Sequence, residues 1–227
     1  MLKKIKQIIT TRIELLHDFR TAQYQKKLRK KLKNTNPSII SSNCIGGIIY
    51  HDLGLKFNSP TINLTLPPED FILFCENMDG FLNATPKEIQ CDERNYPVGE
   101  LTYHGATIKL FFMHYKTFDE ALTKWEERKQ RIDFDNIFII WEFVSEYGPD
   151  TELLNRFLNL KYKNMVLITG EKCLSNDRRI LKTKLYDKKY FSGKILTYKT
   201  KLSKKRYLND FDFVEFLNTG TVKKSGR

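Results

Sequence analysis

The chain has 227 residues, of which 41% are hydrophobic and 13% aromatic, and this composition excludes a chain that is disordered throughout. No apolar run approaches the roughly 18 residues of a membrane span, and the first residues lack the apolar core of a signal peptide. The four cysteines lie far apart without a CxxC pair. We therefore expect a cytoplasmic protein with free thiols and no metal site.

The net charge of +12 is concentrated at the start of the chain. Residues 1–34 hold eleven Lys and Arg but only Glu14 and Asp18, a net charge of +9, and apolar residues recur at roughly helical spacing from Ile5 to Phe19. This pattern predicts a basic amphipathic helix or helix pair. The segment either packs on the domain with a solvated basic face or contacts the anionic inner membrane leaflet peripherally. Nucleic acid is not expected as a partner, because the chain has no zinc finger or RNA-binding aromatic motif.

Strands and helices alternate after a linker at residues 34–37. In chain order we expect a strand at 38–41, a helix at 47–53, a strand at 62–66, a helix at 68–77, a strand at 107–113, a helix at 117–131, a strand at 136–141, a helix at 151–159, strands at 164–169 and 194–198, and a helix at 211–218. This alternation predicts an α/β fold, a layered sandwich around a largely parallel sheet over residues 35–220, either undivided or split into two sub-lobes near residues 100–135. Residues 221–227 are expected to form a flexible tail.

The loop behind the first strand combines small polar residues, a thiol and a glycine pair. Here Ser42, Asn43 and Cys44 precede Gly46 and Gly47, where a helix is expected to begin. A strand followed by a helix N-terminus exposes a side chain above the sheet edge and points backbone N–H groups at it. We therefore predict a ligand-binding loop with Cys44 as a candidate nucleophile, its thiol pKa lowered by the helix N-terminus. The alternative is a buried cysteine beside glycines that serve only close packing.

A nucleophile or an acceptor hydroxyl needs a general base, and two histidines are candidates. His114 ends a predicted strand, at the sheet edge where open α/β sheets bind ligands, and is the preferred base. His51 follows the glycine pair along the predicted helix and is the second candidate. Ser59 and Asn63 are predicted to line the pocket, although a Ser-Pro turn explains Ser59 without a function.

The predicted helix at 117–131 begins with a capping box, because Glu120 stands three residues after Thr117. Arg128 and Arg131 lie about one turn apart near its end, and we assign both to the ligand site together with Trp125. Guanidinium groups suit the oxygens of a phosphate or a sugar-nucleotide diphosphate. The alternative is a solvated basic flank at the helix C-terminus.

Several short motifs follow one another along the chain. They are Ser42-Asn43-Cys44-x-Gly46-Gly47, His51-x-Leu53-Gly54-Leu55, Ser59-Pro60-x-Ile62-Asn63-Leu64, Tyr96-Pro97-x-Gly99, His114-Tyr115, Glu120-Ala121, Trp125, Arg128 and Arg131-Ile132. Their order resembles the bacterial domain-of-unknown-function 1919 family. The resemblance covers about residues 36–200 and leaves the basic segment 1–34 outside. Members are often labelled exopolysaccharide or capsule biosynthesis proteins, and the resemblance implies such a role here.

Two functions are consistent with these features. The first is a transferase acting on capsule or exopolysaccharide precursors, which moves an acyl group or other substituent from acyl-CoA or a sugar nucleotide onto a sugar hydroxyl. The second is a non-catalytic accessory protein of polysaccharide assembly, docked on the inner membrane leaflet through residues 1–34. The chain has no Walker loop, GxGxxG after a strand, GxSxG elbow, HExxH or Asp-x-Asp motif, so a nucleotide-metal mechanism has no positive support.

Overall fold

The computed structural model describes residues 2–187 and 193–226, without the side chains of Leu2, Lys4, Ile5, Ile8 and Ile9, so part of the predicted apolar stripe lies outside the described residues. The helices and strands are, in chain order, α1 (Leu2–Lys31), β1 (Ser38–Ser41), α2 (Ile45–Leu53), α3 (Pro68–Glu76), α4 (Met78–Asn83), β2 (Lys87–Ile89), β3 (Val98–Tyr103), β4 (Ala106–Phe111), α5 (Phe118–Lys129), β5 (Ile137–Glu142), α6 (Thr151–Leu158), β6 (Asn164–Gly170), β7 (Ile180–Thr183) and α7 (Phe213–Thr219).

A four-stranded parallel sheet in the order β1-β5-β6-β7 lies at the centre of the fold. All six residues of β5 are buried, because the sheet is covered on both faces. On one face, Ile139 and Trp141 pack with side chains of α3, α5 and α6. On the other, Phe138 and Ile140 pack with α2 and α7. Each fully buried side chain of this size contributes about 1.5–3 kcal/mol to folding. The predicted α/β layered fold with a largely parallel sheet is confirmed.

A second sheet, β2-β3-β4, is antiparallel and occupies residues 87–111. Only β4 was expected from the sequence. Leu101 of β3 and both Ile108 and Leu110 of β4 are fully buried in the same apolar cluster as Ile139 and Trp141. Residues 87–111 therefore share one core with the parallel sheet.

Two predicted strands are wrong. Residues 62–66 form turns, apart from one bridge in which Thr65 exchanges backbone hydrogen bonds with Phe111 at 2.9 and 3.0 Å. The turns follow from Asn63, whose φ of 66° is incompatible with a strand. At 194–198 the chain makes a 3-10 turn, Lys194–Leu196, after Gly193 at φ 89°.

The end of the chain runs back along the domain. The amide of Asp212 donates to the carbonyl of Lys223 at 3.1 Å, and Ser225 donates to Asp210 at 2.8 Å. These hydrogen bonds hold residues 223–225, part of the predicted flexible tail, against the segment that precedes α7.

The basic leading segment is one helix, α1, of 30 residues. Its second half is held on the domain, where Gln25 donates to the carboxylate of Asp52 at 2.8 Å and Arg29 donates to the Asp52 carbonyl at 3.1 Å. Among the described residues, no helix is both long enough and apolar enough to cross a bilayer.

Candidate functional site

A cavity of about 570 Å³ lies at the carboxyl ends of β1 and β5. Its lining comes from Ser42, Asn43 and Cys44 behind β1 and from Trp141 and Glu142 at the end of β5. The opposite wall comes from residues 65–68, Arg94, Tyr96, Met113 and His114. Ligands of open α/β sheets bind in this position, because the loops after parallel strands meet there. The cavity is therefore the candidate functional site.

Glu142 is the most buried ionisable group of the cavity, with 7% of its surface exposed. One carboxyl oxygen accepts a hydrogen bond from the side-chain amide of Asn43, and the other accepts one from the Tyr186 hydroxyl at 2.5 Å. Burial raises the pKa of Glu142, and the hydrogen bonds from Tyr186 and Asn43 offset part of that rise. The site thus holds a carboxyl that retains its proton to higher pH than an exposed glutamate.

The loop after β1 is built on Asn43 and Ser41. The side-chain oxygen of Asn43 accepts a hydrogen bond from the backbone amide of Ile45 at 3.1 Å. The Ser41 hydroxyl donates a hydrogen bond to the backbone carbonyl of Asn43 at 2.7 Å. The Asn43 side chain therefore joins the start of α2 to the carboxylate of Glu142. Ser42 adds a second link between the strands, because its hydroxyl accepts from the Glu142 amide at 3.1 Å.

Cys44 lines the cavity as a half-buried thiol. Burial raises its pKa to about 11, and the nearby charge of Glu142 adds to the rise. The direction is opposite to the one expected from the sequence, which was a thiolate favoured by the helix N-terminus. At neutral pH the Cys44 side chain is almost wholly a protonated thiol.

His114 and Arg94 supply the exposed polar groups of the cavity wall. His114 lies three residues after β4, which belongs to the antiparallel sheet and not to the parallel sheet at whose edge the sequence led us to expect it. The Arg94 guanidinium lies over the ring of Phe111, 5.8 Å from its centroid. The cavity thus combines an imidazole and a guanidinium group with a mainly apolar wall.

Residues 15–218 match the family described as a domain of unknown function (DUF1919). The chain belongs to the DUF1919 family. An uncharacterised protein of Haemophilus influenzae is 35% identical over 191 residues, which cover 84% of this chain and 88% of that protein. The family region begins within α1, earlier than the resemblance predicted from the motifs, so part of the basic helix belongs to it.

Several DUF1919 motif residues serve packing around α2. A Cβ on Gly46 would lie 2.7 Å from the Ser41 hydroxyl oxygen, so this glycine allows α2 to pack on β1. Gly47 packs beside Ile62 and Asn63 at ordinary contact distance. The Ser59 hydroxyl bonds Thr61 inside the domain. These four predicted site residues (Gly46, Gly47, Ser59 and Asn63) are not among the residues that line the cavity.

His51 lies at the far end of α2, seven residues and about 10 Å of helix from Cys44. Its side chain is 68% exposed and sits 3.2 Å from Asp52, beside α1. The structure therefore separates the second predicted base from the cavity.

The predicted phosphate-binding residues also lie elsewhere. Arg128 is buried, donates to the Tyr115 hydroxyl at 2.7 Å and stacks over Phe57. Arg131 donates to the Phe57 carbonyl at 3.1 Å and pairs with Glu127. Both arginines border a separate shallow pocket and are engaged in holding residues 55–57 and 62 on α5. Trp125 is 1% exposed in the core.

Among the cavity residues that the sequence interpretation missed are Arg94, Tyr96, Trp141 and Glu142. Among the described residues, the buried Trp141 ring N–H has no hydrogen-bond partner. One signal was present in the sequence, because Glu142 ends an otherwise apolar strand, and a carboxyl at the end of a buried parallel strand is a site candidate.

Proposed function

We propose that this DUF1919 protein is a transferase that moves an acyl group or another substituent onto a saccharide hydroxyl in exopolysaccharide or capsule synthesis. The observation that carries the proposal is the buried carboxyl of Glu142, at the carboxyl edge of the parallel sheet, in one cavity with His114. Histidine is the commonest general base in enzymes, and Glu142 fixes the loop of residues 42–44 in the same cavity through Asn43. The polysaccharide assignment rests on the labels that members of the family carry.

The shape and lining of the cavity support a small saccharide acceptor. A volume of about 570 Å³ lies within the range of roughly 300–1,000 Å³ that small-molecule sites occupy. Phe111 and Tyr96 are partly exposed and offer apolar surface to the C–H faces of a sugar ring. Arg94 can bind the anionic part of acyl-CoA or a sugar nucleotide.

His114 acts as the general base in this proposal. For an acyl thioester donor, its imidazole accepts the proton of the acceptor hydroxyl while the oxygen attacks the thioester carbonyl carbon. The carbon–sulfur bond then breaks, and the leaving thiolate recovers the proton from the imidazolium. Transfer is direct in this scheme, because the raised pKa of Cys44 does not favour a thiolate nucleophile. Glu142 holds Asn43 in place through its hydrogen bond.

Ligand binding at this cavity is tested by thermal unfolding with acetyl-CoA, CoA and a panel of nucleotide sugars. At a donor concentration of about 100 times Kd we expect the melting temperature to rise by about 5–10 °C for one donor class. Arg94→Ala should remove most of that rise, and Arg178→Ala, at an exposed arginine near the other end of β6, should leave it intact.

A non-catalytic accessory protein is the alternative. It predicts no melting shift with any donor and no product, and that pair of results would refute the transferase. A shift that Arg94→Ala leaves unchanged would place the donor outside this cavity.

A further inference from the structure

The first half of α1 carries large apolar side chains in solvent. Leu15 and Phe19 are 64% and 63% exposed, and Leu16 is 52% exposed. Arg12 and Arg20 flank them within one turn and are also exposed. Exposed residues of this size are unusual as a cluster on a water-soluble surface, so the cluster points to a partner.

This apolar cluster faces away from the domain. The contacts of α1 with the domain recur every four residues: His17 lies 3.1 Å from the Ser203 carbonyl, Thr21 is buried, and Gln25 and Arg29 bond Asp52. Leu15 and Phe19 are offset from that series by two residues, which is about 200° around a helix. The outer side of α1 therefore presents the apolar residues, with Lys26 and Lys30 exposed further along the helix.

A second basic segment, residues 198–206, lies beside α1. It turns back on itself through a bridge between Tyr198 and Arg206, and it contacts α1 at His17 through the Ser203 carbonyl. Leu202 is 47% exposed at its tip, between the exposed cations Lys201 and Lys204. The tip therefore repeats the combination of apolar and cationic side chains found on α1.

The positive charge of the chain is concentrated in two segments, residues 1–34 and 198–206. Residues 1–34 carry +9, and residues 198–206 hold five Lys and Arg without any Asp or Glu. Because the whole chain carries +12, the remaining residues carry a net charge of −2. The outer side of α1, with Arg12, Leu15, Phe19, Lys26 and Lys30, combines exposed cations with apolar side chains, and we call it the basic face. Residues 198–206 contact the other side of α1, at His17 and Tyr24.

We propose that the basic face docks the protein on an anionic lipid bilayer, with Leu15, Leu16 and Phe19 inserted at the headgroup level. A bilayer satisfies both features, because anionic headgroups attract Lys and Arg while the acyl boundary accepts the apolar side chains. A second copy of the chain would bring two strongly positive faces together, which Coulomb repulsion opposes. Nucleic acid would use the cations and leave the apolar cluster in water. The proposal is independent of the transferase reaction.

The test is sedimentation of the full chain with vesicles of phosphatidylcholine and with vesicles that contain about 30% phosphatidylglycerol. We expect binding to the anionic vesicles alone, weakening as NaCl rises from about 50 mM to about 500 mM. Lys26→Glu with Lys30→Glu, on the outer side of α1, should weaken binding at least about fivefold per residue, because each surface cation contributes on that scale. The matched control is Lys161→Glu with Lys163→Glu, two exposed lysines outside the basic face.

The apolar cluster is tested by Leu16→Ser with Phe19→Ser, which should weaken vesicle binding at least about tenfold. Leu174→Ser is the matched control, since Leu174 is 95% exposed on the loop after β6. Thermal unfolding of each variant verifies that it is folded. The proposal is overturned if anionic vesicles do not bind, if test and control variants behave alike, or if the wild type forms a dimer that the serine variants abolish. Tight binding to duplex DNA that the serine variants leave unchanged, with weak vesicle binding, would assign the face to nucleic acid instead.

Discussion

Glu142 ends β5 with a carboxyl whose pKa is raised by burial. The folded protein therefore binds this proton more tightly than the unfolded chain does, so the residue's contribution to stability is fully present below its unfolded pKa and is lost as pH rises through the folded pKa. We expect the stability of the wild type relative to Glu142→Gln to fall as pH rises above about 4.5. Urea unfolding over a pH series measures this difference.

The matched control for that series is Glu152→Gln, at an exposed glutamate of α6. Its difference from the wild type should change little across the same range. A wild-type advantage over Glu142→Gln that is constant or increases with pH would contradict the buried carboxyl described for the cavity.

The glycine pair at the start of α2 provides a contrast between neighbours. A Cβ on Gly46 would approach the Ser41 hydroxyl oxygen to 2.7 Å, so Gly46→Ala should lower the free energy of unfolding by about 1–3 kcal/mol. Gly47 has room at ordinary contact distances, and Gly47→Ala should be neutral or stabilise by up to about 1 kcal/mol through helix propensity. Equal effects of the two substitutions in chemical denaturation would show that Gly46 does not serve close packing.

At the scale of elements, α1 is fastened to α2 by Asp52, which is 4% exposed. Its carboxylate accepts from Gln25 and lies 3.8 Å from the guanidinium of Arg206. Asp52→Ala removes both of these contacts. We expect the free energy of unfolding to fall by about 1–3 kcal/mol and amide exchange in residues 17–29 to become faster. Hydrogen–deuterium exchange measures the second effect. Glu14→Ala, at an exposed carboxylate of the same helix, is the control; exchange that is identical in the two variants would contradict the anchoring role.

Three of the four strands that could be predicted, β1, β5 and β6, are buried on both faces. Each contains a short apolar run, and such runs are typical of a covered parallel sheet. β7 was missed because Leu181 alone of its four residues is buried, and β2 was missed because it is short and mostly exposed. Where an apolar run contained a residue at positive φ, as at Asn63, the chain turned instead of extending.

The candidate site could be predicted in position but only partly in composition. The loop of residues 42–44 and His114 were identified because both follow predicted strands, and both line the cavity. Glu142 meets Asn43 across a separation of 99 residues, through the pairing of β5 with β1, and a single sequence does not reveal that pairing. Arg94 and Tyr96 come from the connection between β2 and β3, two strands that the pattern did not indicate.

At the scale of the whole molecule, one segment links the cavity to α1. Gly193 and Leu196 line the cavity, and the Leu196 carbonyl accepts a hydrogen bond from Arg206 at 2.7 Å. The same segment contacts α1, where the Ser203 carbonyl lies 3.1 Å from a ring nitrogen of His17.

The most direct measurement is the rate of donor cleavage in the presence of mixed mono- and oligosaccharides, followed as release of CoA from acetyl-CoA or of nucleoside diphosphate from a nucleotide sugar. His114→Ala should reduce the rate by about 10²–10⁴-fold at unchanged stability, which is the usual contribution of a general base. His104→Asn is the control, because His104 is exposed in a turn at φ 46°, which asparagine tolerates. Saccharide-dependent cleavage that falls only in the His114 variant is the result we predict; cleavage that both variants retain in full, or its absence with every donor, would contradict the assignment of this cavity as a transferase active site.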